Sequence, residues 1–239
     1  MTELLFRSDA YTRECAVRVL AINARGGVVL DRTVCYASAG GQPGDQATLS
    51  WEGGACAIAT AVWSEDKREV VHVPSAAGPL PAPGQEARLA LNWETRHRHM
   101  RVHTALHLLC AVIPFPVTGG QIAADGGRLD FDIADMSLID KARIEAELQA
   151  LIAADHAVSE RWISDEEMAA RPELVRTMRV KPPTGSGRVR LVAIGADGAI
   201  DLQPCGGTHV RRTAEIGGIA LGKIESKGKQ NRRIRITLA

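Results

Sequence analysis

The sequence predicts an α+β fold in two domains: a small β-barrel over residues 1–92 and, over residues 93–239, a mostly antiparallel sheet covered by helices. Three patterns carry that reading. Short runs of alternating apolar residues, separated by Gly and Pro clusters, fill the N-terminal part and point to a barrel of short strands. The segment from Thr95 to Ile113 is periodic at helical spacing instead. Beyond it, strand-like runs joined by turn signals alternate with capped helical faces.

In the first domain, strands are expected over 15–22, 27–32, 55–62, 69–73 and 87–91, with a proline-rich stretch, Gly78 to Gly84, ahead of the last. Between the second and third lies Tyr36-Ala37-Ser38-Ala39-Gly40-Gly41-Gln42-Pro43-Gly44-Asp45. Composition alone makes this a glycine-rich hairpin connection. So little side-chain bulk would also let a polynucleotide or acyl chain approach the backbone amides of Gly40 and Gly41, with Gln42 and Asp45 as fixed polar contacts. The stretch lacks the Gly-Lys-Ser/Thr ending of a phosphate loop.

The helix over 95–113 carries an apolar stripe of Met100, Val102, Leu106, Leu109, Val112 and Ile113, and Pro114 stops it. His99, His103 and His107 stand four apart, so their rings line one face. Next come a strand over 128–133 and a helix opened by Ser137 and Asp140 as a capping pair, with Ile139, Ile144, Leu148, Leu151 and Ile152 as its apolar face. A strand over 158–163 leads to a short helix behind the box Ser164 to Glu167. Strands over 188–194 and 199–202 flank the turn Asp197-Gly198, and a last hairpin pairs 219–225 with 233–238.

The first of these hairpins delivers Cys205 and His209, four residues apart in Pro204-Cys205-Gly206-Gly207-Thr208-His209-Val210. Adjacent glycines make that stretch a loop. With His103 and His107 it offers one sulfur and three nitrogen donors, a set suited to zinc in a tetrahedron. A metallopeptidase helix is excluded, because Thr104 stands where its glutamate base would follow the first histidine. The Thr104 hydroxyl either bonds back to its own helix or meets a polar substrate group.

His-Thr-Ala-Leu-His-Leu-Leu from His103, Cys-Gly-Gly-Thr-His-Val from Cys205, Gly-Gly-Gln-Pro-Gly-Asp from Gly40 and the basic run Ser226 to Ile236 occur in one order over nearly the whole chain. In that order the motifs resemble the freestanding alanyl-tRNA editing proteins of the AlaX type, in the longer form with the glycine-rich motif, and equally the editing region of alanyl-tRNA synthetase. The resemblance implies a translation-protein-type barrel before the metal-binding domain. It also implies a zinc hydrolase acting in trans to remove serine, and as a further candidate glycine, from alanine tRNA, with the glycine-rich loop associated with serine rejection. Thr104 would then bond the hydroxyl of serine, a discrimination that hydrogen bonding makes better than pocket size.

Four protein donors would close the tetrahedron, whereas catalytic zinc keeps a position for water or substrate. One imidazole could stay unbound as general base, the metal could take a fifth ligand, or it could orient the substrate amino group. The expected arrangement is three tight ligands with His209 loosely held. The final hairpin carries the cations Lys223, Lys227, Lys229, Arg232, Arg233 and Arg235 against the single acid Glu225. Lys227, Lys229, Arg232 and Arg233 are therefore candidates for tRNA phosphates, with Arg96, Arg98 and Arg101 as an extension of the patch. His99 is expected behind the metal or facing RNA.

The net charge of +1 by itself points to no polyanion. Five cysteines without a C-x-x-C exclude a disulfide framework and a four-cysteine metal module, and Cys15, Cys35, Cys56 and Cys110 read as small apolar groups. The acidic start Met1 to Ala10 and the lack of a long apolar run lead us to expect a cytoplasmic protein with no membrane partner. The chain is too short for a complete synthetase, so ligase activity is not expected. Two alternatives stay open: a tRNA-binding module with a purely structural zinc, and a deacylase for a different mischarged tRNA.

Overall fold

Alternation of inward and outward residues builds the first unit. In the computed structural model, which describes residues 2–178 and 187–239, the chain divides into two compact units, Met1–Arg98 and His99–Ala239. The first opens with β1 (Glu3–Leu4), then β2 (Glu14–Ile22), β3 (Val28–Leu30), β4 (Arg32–Thr33), β5 (Ala47–Trp51), β6 (Gly54–Trp63), β7 (Val70–Pro74) and β8 (Glu86–Leu91). Six of these close a barrel in the order β2-β3-β7-β6-β5-β8, every pair antiparallel, and β1 lies parallel to β4 outside it. Val17, Val19, Leu30, Leu49, Ile58 and Leu89 fill the interior, so the barrel is a packed core. β5 has no counterpart among the predicted strands: Ala47 and Leu49 do alternate inward, but polar Thr48 and Ser50 leave too few apolar residues to stand out.

The glycine-rich stretch hangs from this barrel as a tight turn. Ala39 and Gln42 exchange backbone hydrogen bonds, and Gly40 and Gly41 between them have φ of 57° and 85°. Two successive positive φ values are the signature of a type I′ turn and favour glycine at both places. Gly44 sits so close to β6 that a Cβ would lie 2.0 Å from the Ala61 carbonyl oxygen. Beneath the turn, Asp45 accepts from the Tyr36 amide at 2.5 Å and from the Arg96 guanidinium, which also donates to the carbonyls of Ala10 and Val34.

Helix α1 (Trp93–Val112) starts earlier than predicted because Asn92 caps it, its side chain accepting from the Thr95 amide. The boundary between the two units falls inside α1, between Arg98 and His99.

The second unit continues with β9 (Val117–Ile122), β10 (Gly126–Asp132), α2 (Lys141–Ala153), β11 (Val158–Ser164), α3 (Asp165–Ala169), β12 (Arg188–Ile194), β13 (Asp201–Pro204), β14 (Ile219–Leu221), β15 (Glu225–Ser226) and β16 (Asn231–Leu238). They form two antiparallel sheets: β14-β16-β10-β9, with β15 also on β16, and β11-β12-β13. The whole is the α+β class the sequence predicts. Helix α1 rests directly on the larger sheet, since a Cβ on Gly127 of β10 would meet Val102 at 2.8 Å and Leu106 at 3.0 Å. On the smaller sheet, Val189 and Leu191 pack with Met168 of α3 and Leu174. Helix α2 is capped by Asp140 alone, while Ser137 lies in a separate 3-10 turn capped by Asp135. No helix among the described residues is long and apolar enough to cross a membrane.

Candidate metal centre

Helical spacing brings His103 and His107 one above the other on α1, and β13 feeds the glycine loop that returns Cys205 and His209 to them. Their donor atoms all lie within 4.8 Å of one another. The Cys205 sulfur is 3.5 Å from His103 Nε2 and 3.3 Å from His209 Nε2, and the His209 ring centre is 4.2 Å from that of His103 and 4.6 Å from that of His107. The structure thus unites all four candidate ligands in one cluster that can hold a metal ion.

Groups behind the donors decide which nitrogens face inward. His107 Nδ1 donates to Asp201 Oδ2 at 2.8 Å, which leaves its Nε2 lone pair for the cluster. His209 Nδ1 is 3.2 Å from the Thr104 hydroxyl, which also accepts from the Val210 amide and donates to the Met100 carbonyl. A hydroxyl has one proton and two acceptor sites, and these three bonds use them all. Thr104 is fully buried and back-bonded to its own helix, the first of its two expected arrangements, and it stands behind His209.

The loop is fastened from its other side. The Gly207 amide points at the Cys205 sulfur at 3.4 Å, and Arg190 of β12 donates to the carbonyls of Cys205 and Gly207 at 2.8 and 2.9 Å while pairing with Glu160 of β11. Burial alone would keep Cys205 a thiol, but the charges of His103 and His209 outweigh it and hold its pKa well below the ordinary value. Burial and the neighbouring His103 push His209 well below the usual imidazole range. For His107 burial works in the same direction, yet the bonds and charges of Asp201 and Cys205 together prevail and raise it to about 10. The cluster therefore favours a thiolate, the form of cysteine that binds metals.

Asp201, Gln203 and Arg190 are not singled out by the sequence reading. The signal is present, because Asp201, Gln203 and Cys205 follow one another at the two-residue period that puts strand side chains on one face. Gln203 in turn donates to Asp201 Oδ2 at 2.9 Å.

Other candidates turn out to be committed to the fold. Asp45 is 1 % exposed with both oxygens on Arg96, and Gln42 is equally buried, so of the four candidates in the loop Gly40 and Gly41 are exposed, beside Ser38 and Ala39. Arg96 is itself fully buried by that pair, and Arg101, half-buried, donates to the Ile216 carbonyl. His99 is also buried. On the last hairpin, Arg232 folds back onto the carbonyls of Gly228 and Lys229, and Arg233 makes two 2.8 Å bonds to Asp130 of β10. Glu225 pairs with Lys227 at 2.6 Å and with Arg235 at 3.0 Å. Lys227 and Lys229 remain exposed at the tip.

A family model for the threonyl and alanyl tRNA synthetase second additional domain matches residues 189–235, which include Cys205 and His209. Over its full length the chain is similar to the alanyl-tRNA editing protein AlaX-M of Methanosarcina acetivorans, 34 % identical over 247 residues and covering 99 % of that protein. The AlaX-M protein of Methanosarcina mazei is 31 % identical over 246 residues, with all of this chain and 97 % of the relative covered. An alanine–tRNA ligase of Pyrobaculum calidifontis is 32 % identical over 233 residues, matching 94 % of this chain but 25 % of the ligase. Whole-length similarity to the AlaX-M proteins, joined to a cluster that can hold a metal ion and is built from the motifs that carry it, shows that the chain belongs to the AlaX family of alanyl-tRNA editing proteins.

Proposed function

We propose that the protein is a zinc-dependent deacylase that hydrolyses the ester of serine wrongly attached to alanine tRNA, with glycine as a second acyl group to be tested. The observation that carries this reading is the convergence of His103, His107, Cys205 and His209 in a member of an alanyl-tRNA editing family. Tetrahedral zinc, with bonds of ~2.0 Å to nitrogen and ~2.3 Å to sulfur, sets nitrogen–sulfur edges of about 3.5 Å. The distances from the Cys205 sulfur to His103 Nε2 and His209 Nε2, 3.5 and 3.3 Å, support that metal. Bound zinc supplies a Lewis acid that polarises an ester carbonyl and brings the pKa of water toward 7.

The protein's own contribution is orientation. Asp201 and Thr104 fix the tautomers of His107 and His209, and Arg190 fixes the loop that carries the thiolate. His209 Nδ1 is engaged by Thr104 and its Nε2 faces Cys205, an arrangement that supports a ligand over a general base. The exposed backbone at Gly40 and Gly41, and the tip lysines Lys227 and Lys229, are the groups proposed to meet the RNA or its acyl chain. Arg232, bound within the hairpin, and Arg233, bound to Asp130 of β10, would act by shaping that tip.

The four donors also suit a purely structural zinc, whose tetrahedron is closed. One experiment separates the readings: Ser-tRNA(Ala) is mixed with zinc-loaded protein and free serine is followed, for the wild type and for Cys205→Ala. Release that needs Cys205 is expected. Folded, zinc-loaded wild type that releases no serine would make the protein a binding module, and release from another mischarged tRNA alone would reassign its substrate.

A further inference from the structure

The two faces of the β11-β12-β13 sheet differ. One is apolar and closed by Met168 and Leu174. On the other, register places Trp162 of β11 directly opposite Arg190 of β12, and residues paired across antiparallel strands project to the same side. Arg190 is the residue whose guanidinium donates to Cys205 and Gly207, so the indole stands beside the side chain that anchors the metal-binding loop. Arg188, exposed and two residues along β12, is the diagonal neighbour of Trp162 on that same face.

Trp162 is 44 % exposed, and the other large hydrophobic residues exposed to this degree among those described are leucines and methionines. Its surroundings are charged: Glu160 pairs with Arg190, and Ser159, Glu160 and Arg161 along the same edge strand are exposed. Charged side chains along an edge disfavour pairing with a second copy of the chain. An open indole face between arginines is instead what single-stranded nucleic acid uses, because every base has a face to stack and a phosphate beside it.

We infer that Trp162 is the stacking platform for the 3′-terminal base of the RNA whose aminoacyl ester reaches the metal centre. This rests on the proposed deacylase reading, since that ester is carried by the terminal nucleotide. Stacking of the last base on β11, with β12 between it and the Cys205 loop, would hold the ester near the cluster independently of which amino acid it bears.

The test uses the full-length zinc-loaded protein and uncharged acceptor-stem hairpins that end in CCA or, with the terminal adenosine removed, in CC. The wild type is expected to bind the CCA form about tenfold more tightly, Trp162→Ala to bind the two alike, and Trp162→Phe to restore the difference. A 2-aminopurine in the terminal position reports stacking directly: its fluorescence should be quenched by the wild type and by Trp162→Phe but not by Trp162→Ala. Zinc content and melting temperature identify a variant that fails to fold, in which case the wild-type preference and quenching decide alone. A wild type without either signal, or a folded Trp162→Ala that keeps both, overturns the stacking. Serine release measured on the same samples separates the two readings. Hydrolysis without a terminal-base preference removes the platform, and preference without hydrolysis removes the deacylase.

Discussion

At the scale of the residue, the four donors are legible in the sequence and their supports are not. Spacing of four on a helix and Cys-Gly-Gly-Thr-His in a loop select donor types directly, whereas the two-residue period that puts Asp201 on the face of Cys205 counts only once 201–204 is known to be a strand. Thr104 has two readings from sequence, and the hydrogen bonds its hydroxyl makes to Met100, Val210 and His209 become visible only once the loop is folded against the helix. Outer groups of this kind contribute roughly 10- to 100-fold in metal affinity. Asp201→Ala should therefore weaken zinc binding by that order, and Thr104→Val, which keeps the shape but removes the acceptor for His209, should do the same while Thr104→Ser does not. Competition against a chromophoric chelator measures this. Unchanged affinity in folded Asp201→Ala and Thr104→Val would show that the rings are oriented by packing alone.

At the scale of the element, chemistry is legible where it is local. The capping box of Ser164 and Glu167 appears as expected, with both reciprocal bonds made. The start of α2 departs from the expected capping pair because two residues able to cap stand three apart, and sequence does not say which one the chain turns at. Asp140 accepts from the amides of Ala142 and Arg143, while Ser137 belongs to the preceding turn. Asp140→Ala should cost about 1 kcal/mol and Ser137→Ala a few tenths at most. Urea unfolding of the two variants checks the order, and equal losses would mean that Ser137 shares the cap. The basic tip shows the opposite limit, since the carboxylate that neutralises Arg233 comes from Asp130, far away in sequence. A charge run viewed along the chain cannot reveal a partner on another strand.

At the scale of the whole molecule, the first unit buries polar groups that long-range pairing alone satisfies. Arg96 and Asp45 meet in the first unit across a separation that no periodicity reports. His72 is the second case, fully enclosed in the barrel, its Nδ1 donating to the Val28 carbonyl at 3.1 Å and its Nε2 accepting from the Thr33 hydroxyl at 2.7 Å. Both nitrogens are matched to the neutral ring, and burial holds the pKa at about 4 against 6.5 in the unfolded chain. Below 6.5 the unfolded chain takes up a proton that the folded barrel refuses. Stability from this residue is therefore complete above that value, declines as the pH falls from about 6.5 to about 4, and levels off below. A shift of this size corresponds to roughly 3 kcal/mol at the acid end. His72→Gln keeps a donor and an acceptor without a titrating group, so its unfolding free energy should fall less steeply than that of the wild type between pH 7 and pH 4. Parallel slopes for the two proteins, followed by tryptophan fluorescence in urea, would mean that His72 takes up its proton inside the folded barrel as readily as outside it.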